Sequence, residues 1–281
     1  MMVTLPKPNG GFHWAQLVAG PALVCETLKP IAPHFFTTRA WQLGERATAD
    51  AADGWKEIAA AARVDVAHLG RLHQVHGADV VAYKRGGPAP PATPPQADIV
   101  LTDDPSLAIA VQTADCMPVL IGDRRTKAVA AAHAGWRGLV ARVPAIAIER
   151  MVHDLGSDPS DLIVAVGPAI GACCYEVGED VRTRFAQAES SPTELARWFR
   201  TAPASLIANP SMSALTSTRR PDHWFFDGWS CAREQLESAG VPGDQIFIAG
   251  LCTASHEASF CSYRRDGAGT GRLAAVIRGR K

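Results

Sequence analysis

The apolar positions of this chain fall mostly into short unbroken runs. Leu107 to Thr113 reads LAIAVQT, and Asp161 to Val166 reads DLIVAV. Pro118 to Gly122 and Ala128 to Ala132 flank the polar turn GDRRTK. Such runs, bounded by turn residues, predict strands buried on both faces. Asp98 to Leu101, Gln245 to Leu251 and Leu273 to Ile277 extend the series. Elsewhere the period lengthens. Val143, Ile146, Met151, Val152 and Leu155 share roughly one helical face, with Pro144 suited to the first turn and Gly156 to the stop. Val177, Val181 and Phe185, four apart, predict a second helix, and Trp229 to Ala239, ended by Gly240, a third. Helices and strands alternate without a strict βαβ repeat. The expected fold class is therefore α/β in the broad sense: a mixed α+β layered sandwich of β-sheets with packed helices.

The stretch from Gly86 to Gln96, GGPAPPATPPQ, holds five prolines and predicts an extended surface loop. The segments on either side look necessary to one core, so the expectation is a single domain over 1–281. Lys plus Arg and Asp plus Glu each number 28, so the basic excess of a nucleic-acid binder is missing. No run reaches the length of a membrane span, and the start lacks the pattern of a secretory signal. A cytoplasmic location and no membrane partner are expected.

Seven cysteines, odd in number and scattered, do not form a disulfide framework. Three metal-competent side chains stand where apolar segments stop: His76 after LHQV, Cys116 after the run LAIAVQTAD, and His133 after AVAAA. Loops and sites gather at such ends. Two imidazoles and a thiolate are the ligand types of a catalytic zinc site with a fourth position left to water or substrate. His73, three residues before His76, competes as a ligand, and a buried histidine more often serves packing alone.

The blocks LHQVHG (72–77), TADCMPVL (113–120), AAHAGWRG (131–138), GPAIGACCYEVG (167–178) and FCSYRRDG (260–267) resemble, in order, those of the laccase-domain family. That family is also called multicopper polyphenol oxidase or zinc-dependent purine nucleoside phosphorylase. The resemblance runs from about Arg39 to Gly271. It implies one zinc on His76, Cys116 and His133, a packed α/β fold, and phosphorolysis of adenosine, inosine, guanosine and methylthioadenosine, with adenosine deamination alongside. The partners it implies are a small-molecule nucleoside and phosphate. One departure is AWQLG, where Gln42 stands at a position the family often fills with asparagine.

Phosphorolysis needs phosphate held at the ribose C1′. The planar fork of arginine suits that task. Arg264 is the candidate catalytic arginine, beside Cys116 and His133, and Arg39, Arg137 and Arg265 are candidate substrate-binding residues, all within or beside the motif blocks. Asp115 is a candidate acid/base for deamination, although neighbours on a strand point to opposite faces, which favours a turn or capping role. Cys173 and Cys174 suggest a redox or ligand pair, but adjacent cysteines make a strained bridge, so structural thiols are expected. Three rivals remain. Copper oxidation of phenols fits the donor types, with copper as the alternative metal, but not the histidine supply: nine in all and no His-x-His pair. A metal-free Cys116/His133 amidase acting on peptidoglycan precursors is the second. A non-enzymatic scaffold domain is the third, and the chain lacks the amphipathic repeats and charged tails common in such modules.

Overall fold

The computed structural model describes residues 4–44, 49–204 and 220–280. In chain order its elements are β1 (Phe12–Leu17), β2 (Gly20–Cys25), β3 (His34–Thr37), α1 (Ala49–Ala62), β4 (Leu69–Gly70), β5 (Val80–Tyr83), β6 (Ile99–Thr102), β7 (Ala108–Thr113), β8 (Met117–Asp123), β9 (Val129–Ala134), α2 (Trp136–Val140) and α3 (Val143–Leu155). There follow β10 (Leu162–Val166), β11 (Glu176–Gly178), α4 (Glu179–Gln187), α5 (Pro192–Trp198), β12 (Phe199–Arg200), β13 (His223–Phe226), α6 (Gly228–Ser238), β14 (Ile246–Ile248), α7 (Tyr263–Asp266) and β15 (Leu273–Arg278).

Two six-stranded sheets pack face to face. One runs β1-β2-β3-β15-β7-β4 and the other β14-β10-β8-β9-β6-β5, while β11-β13-β12 form a small third sheet. The unbroken apolar runs now have a physical reason: each central strand has two buried faces. Along β9, Val129 and Ala131 point between the sheets, whereas Ala130 and Ala132 point outward to α3 and α6. Along β7, Ile109 and Val111 face the same inter-sheet core, and Ala108 and Ala110 face α1. The result is a helix, sheet, sheet, helix stack, the mixed α+β sandwich expected from the sequence.

The strand–turn–strand at 117–134 forms as an antiparallel hairpin, with Leu120 opposite Ala131. Pro144 sits in the first turn of α3, where its missing N–H costs nothing. Gly156 takes φ 66° and closes that helix, a left-handed conformation that glycine adopts without a Cβ clash. The proline-rich stretch is irregular apart from a bridge at Gln96 to His73.

Three details differ from expectation. The buried face of α3 is built from Val143, Ala145, Ala147, Ile148 and Met151, while Val152 is exposed. Small alanines fit close to the sheet and carry little weight in a hydrophobicity pattern. Val177 belongs to β11 rather than to the helix, and the strand expected over 245–251 is shortened to β14 because only those residues pair with β10. Among the described residues no helix is long and apolar enough to cross a membrane.

Candidate metal centre

The site forms where the two sheets meet at one end. Strands β7 and β8 belong to different sheets, so Ala114–Cys116 carry the chain from one to the other. Asp115 makes the sharp turn at φ 85°, and Cys116 lies at the crossing. His133 lies near the end of β9, and His76 follows β4 in the turn VHG, at φ 62°. A left-handed backbone is uncommon for a residue with a side chain and needs support.

Asp98 supplies it. This fully buried residue, just before β6, accepts the backbone N–H groups of Val75 (3.1 Å), His76 (3.1 Å) and Gly77 (2.8 Å). The same carboxylate lies 2.7 Å from His133 Nδ1, and the Asp98 carbonyl accepts the His133 N–H at 2.8 Å. Burial works against the charge on Asp98, but the hydrogen bonds from His133, Gly77 and Val75 outweigh it and hold its pKa below the ordinary value. With Nδ1 donating to the carboxylate, Nε2 of His133 is the nitrogen left for a metal.

The ligand atoms of His76, Cys116 and His133 all lie within 4.8 Å of one another. Cys116 Sγ is 3.9 Å from His76 Nε2, and the two imidazoles are 4.8 Å apart between centroids, with planes at 76°. His133 is buried and the other two are more open. Gly135 permits the approach: a Cβ there would come within 2.7 Å of Cys116 Sγ and 3.4 Å of the His76 ring. Burial would raise the Cys116 thiol, but the neighbouring His133 and His76 pull it down to about 6. Burial would likewise depress His133, but Cys116 and Asp98 lift it to about 9. Without a metal the pair is therefore thiolate and imidazolium at neutral pH. Two nitrogens and an ionisable sulfur at this spacing, one imidazole braced by a carboxylate, fit a borderline-soft divalent ion. A cavity of about 1010 Å³ lies over the three, lined also by Arg71, Arg137, Tyr175 and Arg264.

The sequence model of the family described as multi-copper polyphenol oxidoreductase laccase matches residues 45–280. The chain belongs to that family. A purine nucleoside phosphorylase of Deinococcus radiodurans is 36% identical over 257 residues, 87% of this chain and 88% of that one. Purine nucleoside phosphorylase YfiH of Escherichia coli is 36% identical over 206 residues, 73% of this chain and 72% of its own length. Among solved structures, YlmD from Geobacillus stearothermophilus superposes with a TM-score of 0.77 at 26% identity, covering 95% of this chain and 99% of its own. The Bacillus licheniformis hypothetical protein YfiH gives 0.75 at 26% identity, covering 92% and 96%.

The four candidate arginines of this laccase-family chain divide into two groups. Arg137 and Arg264 line the cavity. The Arg137 guanidinium lies over the Trp136 ring at 4.4 Å. Arg264 lies over Tyr175 at 5.3 Å and donates to the Glu176 carbonyl at 2.7 Å. Arg39 instead donates to the Glu257 carbonyl at 2.6 Å, and Arg265 to the carbonyls of Thr253, Ala254 and Phe260 and to the Asp266 carboxylate. Neither lines the cavity. Asp115 accepts hydrogen bonds from Thr253 and Ser262 hydroxyls and from the Arg264 N–H, so its carboxylate fastens two loops together. Burial raises its pKa despite those bonds. His73 lines the cavity but lies outside the ligand cluster, and Gln42 does not line it.

Sequence reasoning missed Asp98, Arg71 and Tyr175. For Asp98 a signal existed: an acid at the mouth of an apolar run, QADIVL, is costly to bury without a partner. Arg71 and Tyr175 stand inside or beside quoted blocks, and only the fold turns them toward the cavity.

Proposed function

We propose that the chain is a zinc-dependent purine nucleoside phosphorylase, acting on adenosine, inosine, guanosine and methylthioadenosine, with adenosine deamination as a second activity of the same site. The observation that carries this reading is the convergence of His76, Cys116 and His133, braced by Asp98, beneath a cavity lined by Arg137 and Arg264. The names of the relatives support the substrate class. Zinc held by His76, Cys116 and His133 would supply a Lewis acid able to polarise a substrate or water oxygen.

The chain's own residues account for the rest. In phosphorolysis a phosphate oxygen bonds to C1′, the C1′–N9 bond breaks, and the base leaves with the electron pair and gains a proton. Arg137 and Arg264 orient the phosphate and offset its charge. The Arg264 backbone is pinned by Asp115, which keeps that guanidinium beside the cavity. Burial and the nearby Cys116 sulfur push the Tyr175 phenol above its ordinary pKa, so it remains a hydrogen-bond donor. Deamination replaces the C6 amine of adenosine with oxygen from water and releases ammonia.

The test is free-base release from inosine by the zinc-loaded chain, with and without phosphate. Hypoxanthine should form only with phosphate and not in the Cys116→Ala chain. Equal release in both buffers overturns phosphorolysis. A metal-free Cys116/His133 amidase is the second reading, favoured by the thiolate–imidazolium pair. Iodoacetamide separates the two: a zinc-bound thiolate is protected until a chelator strips the metal, whereas a free nucleophile reacts at once. The copper reading rests on the family's description. Oxygen uptake by the copper-loaded chain with a phenol tests it. Among the described residues, the second potential metal-binding cluster contains no histidine, unlike the imidazole-rich cluster a multicopper oxidase uses.

A further inference from the structure

A second group of sulfur ligands lies behind the wall that carries Tyr175. Cys173 and Cys174 come from the turn after β10, and Cys252 follows β14. All three are buried, and their sulfurs lie within 4.8 Å of one another. The two segments are tied by a bridge between Ala169 and Cys252 and by the Thr253 N–H on the Ala169 carbonyl.

Buried cysteines often serve only as small hydrophobes. Here polar groups are directed at the sulfurs. The Gly171 N–H donates to Cys252 Sγ at 3.3 Å. The Ser255 hydroxyl lies 3.2 Å from Cys174 Sγ and 3.5 Å from Cys173 Sγ. The Gly171 N–H favours a thiolate on Cys252, whereas the neighbouring sulfurs and burial hold the Cys173 and Cys252 thiols above the ordinary value, so a bound cation would be what ionises them. Cationic groups also hold the flanking backbone: Arg265 donates to the Thr253 and Ala254 carbonyls, and Arg264 to the Cys174 carbonyl at 3.4 Å. A disulfide accounts for the cluster less well. Any bridge would use two of the three thiols and leave the third buried, and the Cys173–Cys174 pairing, between neighbours in sequence, would also be strained. A metal uses all three. With metal–sulfur bonds of about 2.3 Å, sulfurs on a tetrahedral or trigonal ion sit roughly 3.8–4.0 Å apart. The observed sulfurs, all within 4.8 Å of one another, lie close to that spacing.

We propose that Cys173, Cys174 and Cys252 form a second cation site, separate from the nucleoside site, for a thiophilic d¹⁰ ion, Zn(II) or Cu(I). Binding displaces the thiol protons to solvent and changes no oxidation state. The ion fastens the 171–175 turn to the 252–255 segment. The first carries Tyr175, and the second is joined through Thr253 to Asp115, which holds Arg264. Its role is structural.

The experiment uses the full-length Cys116→Ala chain, reduced and stripped of metal, so that the catalytic centre lacks its sulfur. It is titrated with zinc alone, with Cu(I) alone under anaerobic conditions, and with Co(II). One equivalent of zinc or of Cu(I) should bind and raise Tm, and Co(II) should give an intense sulfur-to-cobalt charge-transfer band. That band distinguishes thiolate ligation from binding by His76 and His133. Adding Cys252→Ala or Cys173→Ala should abolish the band and the stoichiometric binding, while adding Cys231→Ala, a buried cysteine outside the cluster, should leave both intact. Circular dichroism reports whether each variant folds. Absence of the band in the folded Cys116→Ala chain, or its persistence in the Cys252→Ala and Cys173→Ala variants, overturns the proposal.

Discussion

The Asp98 carboxylate lies 2.7 Å from Nδ1 of His133, and it also gathers the backbone of the turn that presents His76. One buried acid thus positions two of the three proposed ligands, one through its ring and one through its main chain. Asp98→Asn keeps the shape but puts an N–H₂ where the site needs an acceptor. Loss of a carboxylate partner of a ligating histidine typically costs about 10–100-fold in metal affinity. Competition against a chromophoric chelator should show a loss of that size, and an unchanged affinity would mean that Asp98 does not brace the site.

Cys116 should titrate far from an ordinary thiol. In the metal-free chain its pKa is brought to about 6 from 9.0 by the two imidazoles. A lowered pKa means that the thiolate is lost as pH falls through about 6 and is already formed at neutral pH. Alkylation of Cys116 by iodoacetamide, followed by peptide mass spectrometry, should therefore rise through pH 6 and level off by neutral pH. A midpoint near the ordinary thiol value would contradict the ion pair.

Gly135→Ala places a methyl group 2.7 Å from the Cys116 sulfur. Overpacking of this kind costs ~1–3 kcal/mol, equivalent to roughly 5–150-fold in an equilibrium. Since the sulfur is what must move, metal affinity should fall by an amount in that range. Titration with zinc, paired with circular dichroism, separates this from a failure to fold.

Arg137 and Arg39 should behave oppositely. Arg137→Ala removes a guanidinium from the cavity wall, and a charge-assisted contact of about 1.5–3 kcal/mol implies a KM for phosphate raised roughly 10–150-fold. Arg39→Ala removes a group bonded to the Glu257 carbonyl outside the cavity. Its KM for phosphate should match that of the unmodified chain. Steady-state kinetics against phosphate at saturating inosine checks both.

Much of this protein was legible before folding. Unbroken apolar runs such as DLIVAV announced strands with two buried faces, because such a strand has no side for polar residues. Gly156 marked a helix end, since a left-handed residue there favours the one amino acid without a Cβ. His76, Cys116 and His133 stood out as ligand types at the ends of apolar segments. Their convergence was a different matter. It arises because β7 and β8 lie in separate sheets and the link between them crosses at Cys116, so contacts distant in sequence leave no local pattern. The same holds for Asp98, whose partners lie 21 to 35 residues away, and for Arg39 and Arg265, whose motif positions resemble those of Arg137 and Arg264. Residue type and spacing determined which groups were chemically able to serve. Tertiary packing decided which of them share one cavity, because only the stacking of the two sheets sets the distances on which coordination and hydrogen bonding depend.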